Sequence, residues 1–178
     1  MDNQQVYFEP PHDVISLPSG GKFYKNKKDT IKVAYMTASD ENILTSPNLL
    51  QNGKVLDVLL EKKIMDKDIK AGQLLSGDRN AIIFFLRATG YGEMYPIELQ
   101  DPKTGEVFTT EVDLSLLPTK ENNLQPDENG ECSFVLPKSK KTVKFRYLTA
   151  DEDDKLIKED NARTKKLGSS AISQLMTL

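Results

Sequence analysis

Apolar and polar residues alternate along residues 30–36 of this chain, and such alternation predicts a β-strand. Ile31, Val33 and Tyr35 would share one face of that strand, because side chains two positions apart point the same way. Upstream, the prolines and a Leu-Pro-Ser-Gly-Gly turn signal predict that residues 1–30 are extended and not helical. The chain therefore enters its first strand from an extended arm.

Two further regions each place two alternating stretches around a polar turn, which is typical of a β-hairpin. In the first region, residues 97–113, a turn over residues 101–105 joins the strands. In the second, residues 132–137 are expected to pair with residues 142–147. Alternation gives the second hairpin an apolar face, expected to lie inside, that holds Val143, Phe145 and Tyr147.

Apolar positions recur at spacings of three and four in other regions, which predicts helices. A short helix is expected over residues 38–45, with Thr37 as its N-cap and Asp40 three positions later, as in a capping box. A second helix is expected over residues 53–64, with Asn52 as its N-cap.

The third predicted helix, residues 79–89, is apolar on nearly every side, which is typical of a helix at the buried centre of a fold. Asp78, just before it, is a candidate N-cap. Residues 151–178 are expected to form a C-terminal helix. Together these patterns predict an α+β protein: a central buried helix, flanking short helices, two β-hairpin units and a C-terminal helix.

The predicted elements divide the chain into five consecutive regions. They are an extended N-terminal arm and turn (1–30), a strand plus helical core (31–92), a ribbon-like β-hairpin (93–118), a second β unit (119–150) and a C-terminal helix or tail (151–178).

Residues 30–41 and 142–153 repeat each other at a constant offset of 112 positions. Thr, Lys, Tyr, Thr and Ala recur in place, a Leu-Pro pair precedes each copy, and an acid follows each N-cap threonine by three positions. The repeat indicates one unit of strand, cap and helix that is used twice. The alternative is that any strand leading into a capped helix shows such residues.

Composition excludes several classes of function. The 178 residues carry 24 basic and 27 acidic side chains, a net charge of −3, which argues against a dedicated polyanion binder. The single cysteine, Cys132, and the single histidine, His12, exclude an internal disulfide and a two-histidine metal site. Cys132 lies in an apolar strand, where a buried thiol is ordinary. We therefore expect no enzyme activity, small-molecule substrate, cofactor or metal.

The N-terminal residues have neither the basic nor the apolar region of a secretory signal. The longest apolar stretch, residues 81–86, is far shorter than the ~20 residues that span a bilayer. These features predict a soluble protein that is made in a cytoplasm and has no membrane partner.

Several blocks of the sequence resemble one family. Three blocks occur in order along the chain. They are Leu-Pro-Ser-Gly-Gly-Lys-Phe-Tyr at 17–24, Met-Thr-Ala-Ser-Asp-Glu-Asn-Ile-Leu at 36–44, and Gly-Asp-Arg at 77–79 followed by an apolar helix and Tyr-Gly at 91–92. They are similar to the LPS-G-x-FY, MT-x-x-DE-x-IL and GDR…LR…YG blocks of baseplate hub and hub-assembly subunits of T-even-type contractile-tailed phages. The resemblance covers residues from about 14 to 160.

The resemblance implies a non-enzymatic role in building the tail baseplate. The partners would be other tail and baseplate hub proteins, with the tape-measure protein among the candidates. The protein would then be found in the virion baseplate, in the infected host cytoplasm, or in both. It would be a structural hub component or an assembly chaperone that is absent from the mature particle. A nucleic-acid-binding adaptor is a further alternative, against which the charge balance argues.

Some relatives carry cysteine pairs around the central hairpin that resemble a zinc ribbon. Residues 98–111 contain neither Cys nor His, so we expect the ribbon shape without zinc. The expected contact surfaces are the loop 14–28, the tip of this hairpin and the C-terminal segment. Arg79 is expected to orient the central helix or to pair with an acid of a partner. The candidate partner-binding residues are Lys22, Phe23, Tyr24, Arg79, Ile172, Leu175 and Met176.

Overall fold

The computed structural model describes residues 9–119 and 122–167. Over these residues the protein has the expected α+β fold, with five α-helices and three antiparallel two-stranded sheets. In chain order the elements are β1 (His12–Ser16), β2 (Thr30–Ala34), α1 (Ala38–Leu44), α2 (Pro47–Gln51), α3 (Val55–Lys63), α4 (Ser76–Tyr91), β3 (Met94–Gln100), β4 (Val107–Asp113), β5 (Cys132–Val135), β6 (Thr142–Phe145) and α5 (Ala150–Leu167). Short 3-10 turns lie at Ala71–Gln73 and Leu114–Leu116.

The hydrophobic core lies where the first sheet meets α3 and α4. Part of the extended arm forms β1, which pairs with β2 so that Ile15 lies opposite Ile31. Ile31 and Val33 point into the core, as their alternation predicts. Tyr35 lies beyond the end of β2 and is partly exposed, with its ring stacked on Phe85 at 5.9 Å. The largest fully buried apolar side chains are Ile31, Val33, Leu60, Leu74, Ile82 and Leu86.

The first predicted helix is confirmed as α1, with Thr37 as its N-cap. The prediction for the next segment was wrong in one respect, because an additional helix, α2, begins at Pro47. Proline suits the first turn of a helix, where its missing N–H would have no partner. Asn52 ends α2 and does not begin α3, whose N-cap is Lys54.

The central helix is also longer than predicted. It begins at Ser76 with Leu75 as N-cap, so the prediction that Asp78 caps it was wrong. Asp78 lies in the first turn, where its carboxylate accepts hydrogen bonds from residues of another loop. One face of α4, which includes Ile82 and Leu86, is buried. The opposite side is open, and Phe84 there is 45% exposed.

Both predicted hairpins are present. β3 pairs with β4 from Met94 and Asp113 to Gln100 and Val107, and β5 pairs with β6 over four residues each. The expectation that the apolar face of the second hairpin lies inside was wrong. The described part of the chain leaves Val143, Phe145 and Tyr147 38–42% exposed, since alternation decides which residues share a face but not whether anything covers it.

The repeated sequence adopts the same local structure twice. We call residues 12–44 the first unit and residues 132–167 the second unit. Each is a β-hairpin followed by a threonine N-cap and a helix. The backbone N–H of Thr37 donates to Asp40 at 2.7 Å, and that of Thr149 donates to Glu152 at 3.0 Å.

The hairpin turns of the two units also match. The N–H of Leu17 donates to the carbonyl of Asp29 at 2.7 Å, and the N–H of Leu136 donates to the carbonyl of Lys141 at 2.9 Å. Both leucines belong to the repeated Leu-Pro pair, so the pair closes the same ladder position in each hairpin. The repeat is therefore a structural unit that begins upstream of the repeated strand.

Candidate protein-binding surfaces

A groove of about 980 Å³ runs along the open side of α4. Ala81, Phe84 and Ala88 form its floor, since these helix positions lie on one side of α4. The segment that follows β4, residues 114–119, forms one wall, and residues 146–148, which follow β6, form another. The bases of both later hairpins therefore flank the same groove.

The groove is mainly apolar, with a few charged groups at its edge. Its larger apolar side chains are Phe23, Phe84, Phe85, Leu114, Leu117, Tyr147 and Leu148. The ring of Phe23 meets the ring of Tyr147 edge to face, with centroids 4.8 Å apart, so the loop that carries Phe23 contacts the wall formed by residues 146–148. An apolar groove with sparse polar groups is suited to bind apolar side chains of another molecule.

The loop that carries Phe23 is held in place by buried hydrogen bonds. The hydroxyl of Tyr24 donates to Asp78 at 2.6 Å and accepts from the N–H of Leu75 at 2.9 Å. The other oxygen of Asp78 accepts from the N–H of Ser19 at 2.8 Å. Burial, with the hydrogen bond to Asp78, raises the pKa of Tyr24 above its ordinary value. Tyr24 thus anchors the loop to the start of α4, and this contact presents Phe23 to the groove.

The other residues expected to bind partners are found in different settings. The Nζ of Lys22 donates to the carbonyl of Asn122 at 3.0 Å. The guanidinium of Arg79 pairs with Asp57 of the same chain at 2.7 Å, which ties α4 to α3. The fold brings Phe23 and Tyr24 to the first turns of α4, which carry Arg79. Of these three residues, only Phe23 lines the groove. The three candidates in the C-terminal segment, Ile172, Leu175 and Met176, lie outside the described residues.

The β3–β4 hairpin exposes a second apolar surface. Its register and the alternation of side chains place six residues on one face: Tyr95, Ile97, Leu99, Phe108, Thr110 and Val112. Tyr95, Leu99 and Phe108 are exposed, and the guanidinium of Arg87 lies 5.3 Å from the ring of Tyr95. The described residues thus contact this face at its base, leave Ile97 and Val112 half-buried, and leave Leu99 and Phe108 near the turn exposed.

The β5–β6 hairpin exposes a third apolar surface. Cys132, Phe134, Val143 and Phe145 share one face, and of these only Cys132 is buried. In the first unit the equivalent face packs into the core, with Ile31 and Val33 in the places of Val143 and Phe145. This pattern of apolar residues therefore belongs to a packing surface, which is left uncovered in the second unit.

The two units also differ in the acid of their caps. Asp40 is fully buried and contacts the ammonium groups of Lys62, at 2.7 Å, and Lys63. Burial alone would raise the pKa of Asp40, but the two lysines and Thr37 outweigh it and hold that pKa well below its usual range. The buried Lys63 also donates to the carbonyl of Tyr35 at 2.9 Å.

Glu152, the counterpart of Asp40, lies near the surface. Both of its oxygens accept from the guanidinium of Arg146, at 2.7 and 2.8 Å. This bidentate pair, together with the N–H of Thr149, lowers the pKa of Glu152 to about 2. The second unit therefore neutralises its acid with its own arginine, whereas the first unit uses lysines from α3.

The thiol of Cys132 and the imidazole of His12, the candidate pair for nucleophilic catalysis, lie in different parts of the fold. Cys132 is buried in β5, and Nδ1 of His12 lies 2.9 Å from the carbonyl of Pro10. Over residues 9–119 and 122–167 no cluster of three His, Cys, Asp or Glu side chains is arranged to hold a metal ion. No helix within these ranges is long and apolar enough to cross a membrane.

Several groove residues were missed by reasoning from the sequence, among them Phe84, Leu114, Leu117 and Leu148. A signal was present for Phe84, because a helix that is apolar on nearly every side needs partners on every side. The structure covers only one side of α4 within the described part of the chain. For the leucines no local signal exists, since the fold brings them together from distant segments.

A comparison with protein families gives this arrangement a context. The family model described as T4 bacteriophage base plate protein matches residues 10–135, from the start of the first sheet to the end of β5. Searches among curated proteins and among solved structures found no match. The family match spans most of the chain and agrees with the sequence blocks that resemble phage baseplate subunits. The chain therefore belongs to the T4 bacteriophage base plate protein family and is a structural component of a phage tail.

Proposed function

We propose that this protein is a baseplate hub component that joins other tail proteins through direct contacts and without catalysis. One observation carries the proposal: the described chain builds three apolar surfaces, the α4 groove and one face of each later hairpin, and leaves all three open. A contiguous apolar surface that a folded chain leaves exposed is typical of a site that another molecule covers.

The hairpins support this interpretation on energetic grounds. A two-stranded hairpin is marginally stable in water by itself, and it becomes stable when a face packs on another layer. β3–β4 and β5–β6 are such hairpins, with rows of apolar side chains exposed. Each Å² of apolar surface covered by a partner gains about 25 cal/mol of transfer free energy, which offsets the entropic cost of association. Assembly would therefore stabilise the hairpins and the partner together.

The groove supports the proposal through its rigidity. Tyr24 and Asp78 fix the loop that presents Phe23, so the groove exists before a partner arrives. A preformed site costs less ordering entropy on binding than a flexible one. We assign Phe23 and Phe84, which line the groove, to the contact with a neighbouring tail protein, and Lys22, which does not line it, remains a predicted contact. Ile172, Leu175 and Met176 remain predicted contacts of the C-terminal segment.

The experiment that tests the proposal is quantitative mass spectrometry on purified mature particles, with lysate of the same infected cells as the reference. A hub component should appear in particles at a fixed, small copy number, and crosslinking should join the groove to another tail protein. Presence in lysate without presence in particles would contradict the proposal and would identify an assembly factor.

A matched pair of variants tests the groove itself. Phe84→Glu places a charge in the floor of the groove, whereas Leu116→Glu changes a residue that is more exposed and does not line it. We expect Phe84→Glu to remove the protein from particles while its level in lysate stays normal. Leu116→Glu should be incorporated like the wild type. Equal incorporation of both variants would contradict the assignment of the groove.

A further inference from the structure

The two exposed hairpins carry opposite charge. Residues 94–113, the β3–β4 hairpin, contain five acidic side chains and one lysine. Residues 132–147, the β5–β6 hairpin with its flanks, contain five basic side chains and no acid. Each hairpin also exposes one apolar face. The strand charges, Glu98, Glu111 and Asp113 in one hairpin and Lys144 and Arg146 in the other, lie on the faces opposite the apolar ones. The charges that can border a contact between the two apolar faces are therefore those of the turns, and opposite charges there favour the contact.

The contrast is sharpest at the turns. Asp101 and Glu106 flank the turn of the β3–β4 hairpin. Lys138, Lys140 and Lys141 form the turn of the β5–β6 hairpin, and among the described residues no ion pair engages these three lysines. Two hairpins that pack with aligned strands and matched turns would therefore bring acids against lysines.

The first unit supports the view that the apolar face of the β5–β6 hairpin is built to be covered. Its equivalent residues, Ile31 and Val33, are buried by α3 and α4 of the same chain. Val143 and Phe145 occupy the same positions and remain exposed. The β3–β4 hairpin of the same chain does not cover them, since its own apolar face is exposed as well.

We propose that a second copy of this chain supplies the cover. The apolar face of the β3–β4 hairpin in one copy packs on the apolar face of the β5–β6 hairpin in the next. Because the two surfaces differ, the contact is head to tail, and every copy offers one surface of each kind. Contacts of this type build a ring when the rotation closes and a filament when it does not.

This inference goes beyond the proposed function, because it concerns self-association of the isolated chain. It holds whichever other tail proteins contact the groove. Its test uses purified protein without phage particles. Failure of that test would therefore leave the hub role standing, and absence from particles would leave self-association standing.

The test is sedimentation velocity on the purified full chain and two variants, each with one spoiled face. Phe108→Lys places a positive charge on the apolar face of the β3–β4 hairpin, and Phe134→Glu places a negative charge on that of the β5–β6 hairpin. Both phenylalanines are exposed, so the fold should persist, and far-ultraviolet circular dichroism checks it. The matched controls, Thr109→Lys and Ser133→Glu, introduce the same charges on the opposite faces of the same strands.

We expect the wild type and both controls to associate in the micromolar range, and the association to weaken at ~1 M salt, where the Debye length falls to ~3 Å and the acids and lysines of the turns are screened from each other. Each spoiled variant alone should be monomeric. An equimolar mixture of the two should form a one-to-one dimer, because each variant keeps the surface that the other has lost.

Three results would overturn the inference. A monomeric wild type excludes a second copy as the cover. Retained association in only one of the spoiled variants indicates a symmetric contact through a single hairpin. A mixture that remains monomeric, with both variants folded, excludes the head-to-tail contact between these two faces.

Discussion

The first and second units share a sequence pattern and a local structure, but only the first is built into a core. Ile31 is 1% exposed, whereas its counterpart Val143 is 41% exposed. The repeated residues determine strand, cap and helix in both places. Burial depends instead on what the rest of the chain places against the unit, which is α3 and α4 for the first unit. The second unit is thus a complete local structure whose apolar face the described residues leave exposed.

The cap acids of the two units differ in the same way, because only the acid of the first unit is buried. Asp40 is buried and depends on lysines that α3 supplies, whereas Glu152 lies near the surface and pairs with Arg146 of its own unit. A buried acid that loses its partners is costly, while an exposed pair contributes little. The two units should therefore respond differently to equivalent substitutions.

We expect the largest difference in stability between the two units when the cap acids, Asp40 and Glu152, are replaced. Asp40→Ala leaves Lys63 buried without its counter-ion, and we expect a loss of about 3–5 kcal/mol in the free energy of unfolding. Glu152→Ala breaks a partly exposed pair and should cost about 1 kcal/mol or less. Urea unfolding followed by circular dichroism measures both. Equal losses would contradict the contrast between the units.

The apolar faces should show the next largest effect. Ile31→Ala opens a cavity in the core and should cost about 2–5 kcal/mol. Val143→Ala removes surface that is already exposed and should change stability by about 0.5 kcal/mol or less. The same urea titration applies, at a protein concentration low enough to keep the chain monomeric. A cost above that of Ile31→Ala for the Val143 variant would show that the second unit is covered within the chain.

Lowering the pH should reduce the free energy of unfolding by an intermediate amount. Because the fold lowers the pKa values of Asp40 and Glu152, both stabilise it above their ordinary pKa values, and this stabilisation is lost as pH falls. For Glu152 the loss extends from its ordinary pKa of 4.5 down to about 2. Glu152→Gln should flatten the dependence of unfolding free energy on pH in that window. An unchanged slope in this variant would contradict the depressed pKa.

The threonine caps should show the smallest difference. Thr37→Ala and Thr149→Ala each remove the side chain of the threonine that precedes a helix while keeping its backbone N–H, and loss of an N-cap side chain costs about 1 kcal/mol. Since the cap is local, we expect the two losses to agree within about 0.5 kcal/mol. Thermal unfolding of both variants provides the measurement. No change in melting for Thr37→Ala would refute its role as a cap.

Much of the fold follows from local patterns in the sequence. Alternation placed both later hairpins, and the spacing of Thr37 and Asp40 placed the cap of α1. Local patterns failed where two signals compete. Asp78 resembles an N-cap, but it lies in the first turn because the distant Tyr24 and Ser19 use its carboxylate.

The candidate surfaces were less predictable, for a physical reason. Alternation indicates that Val143 and Phe145 share a face, yet it carries no information about what covers them. The groove joins Phe23, Phe84 and Leu148 from segments far apart in the chain, so only the folded structure brings them together. Arg79 was expected to orient the central helix or to bind a partner's acid, and the fold gives it Asp57.

The most direct test of the central claim is hydroxyl-radical footprinting of the protein, free at low concentration and within purified particles. We expect Phe84, Phe134 and Phe145 to react readily in the free chain and to be strongly protected in the particle. Leu116, which is highly exposed and outside the three surfaces, serves as the internal reference and should change least. Equal reactivity of the three phenylalanines in both states would contradict the claim that assembly covers the surfaces this chain leaves open.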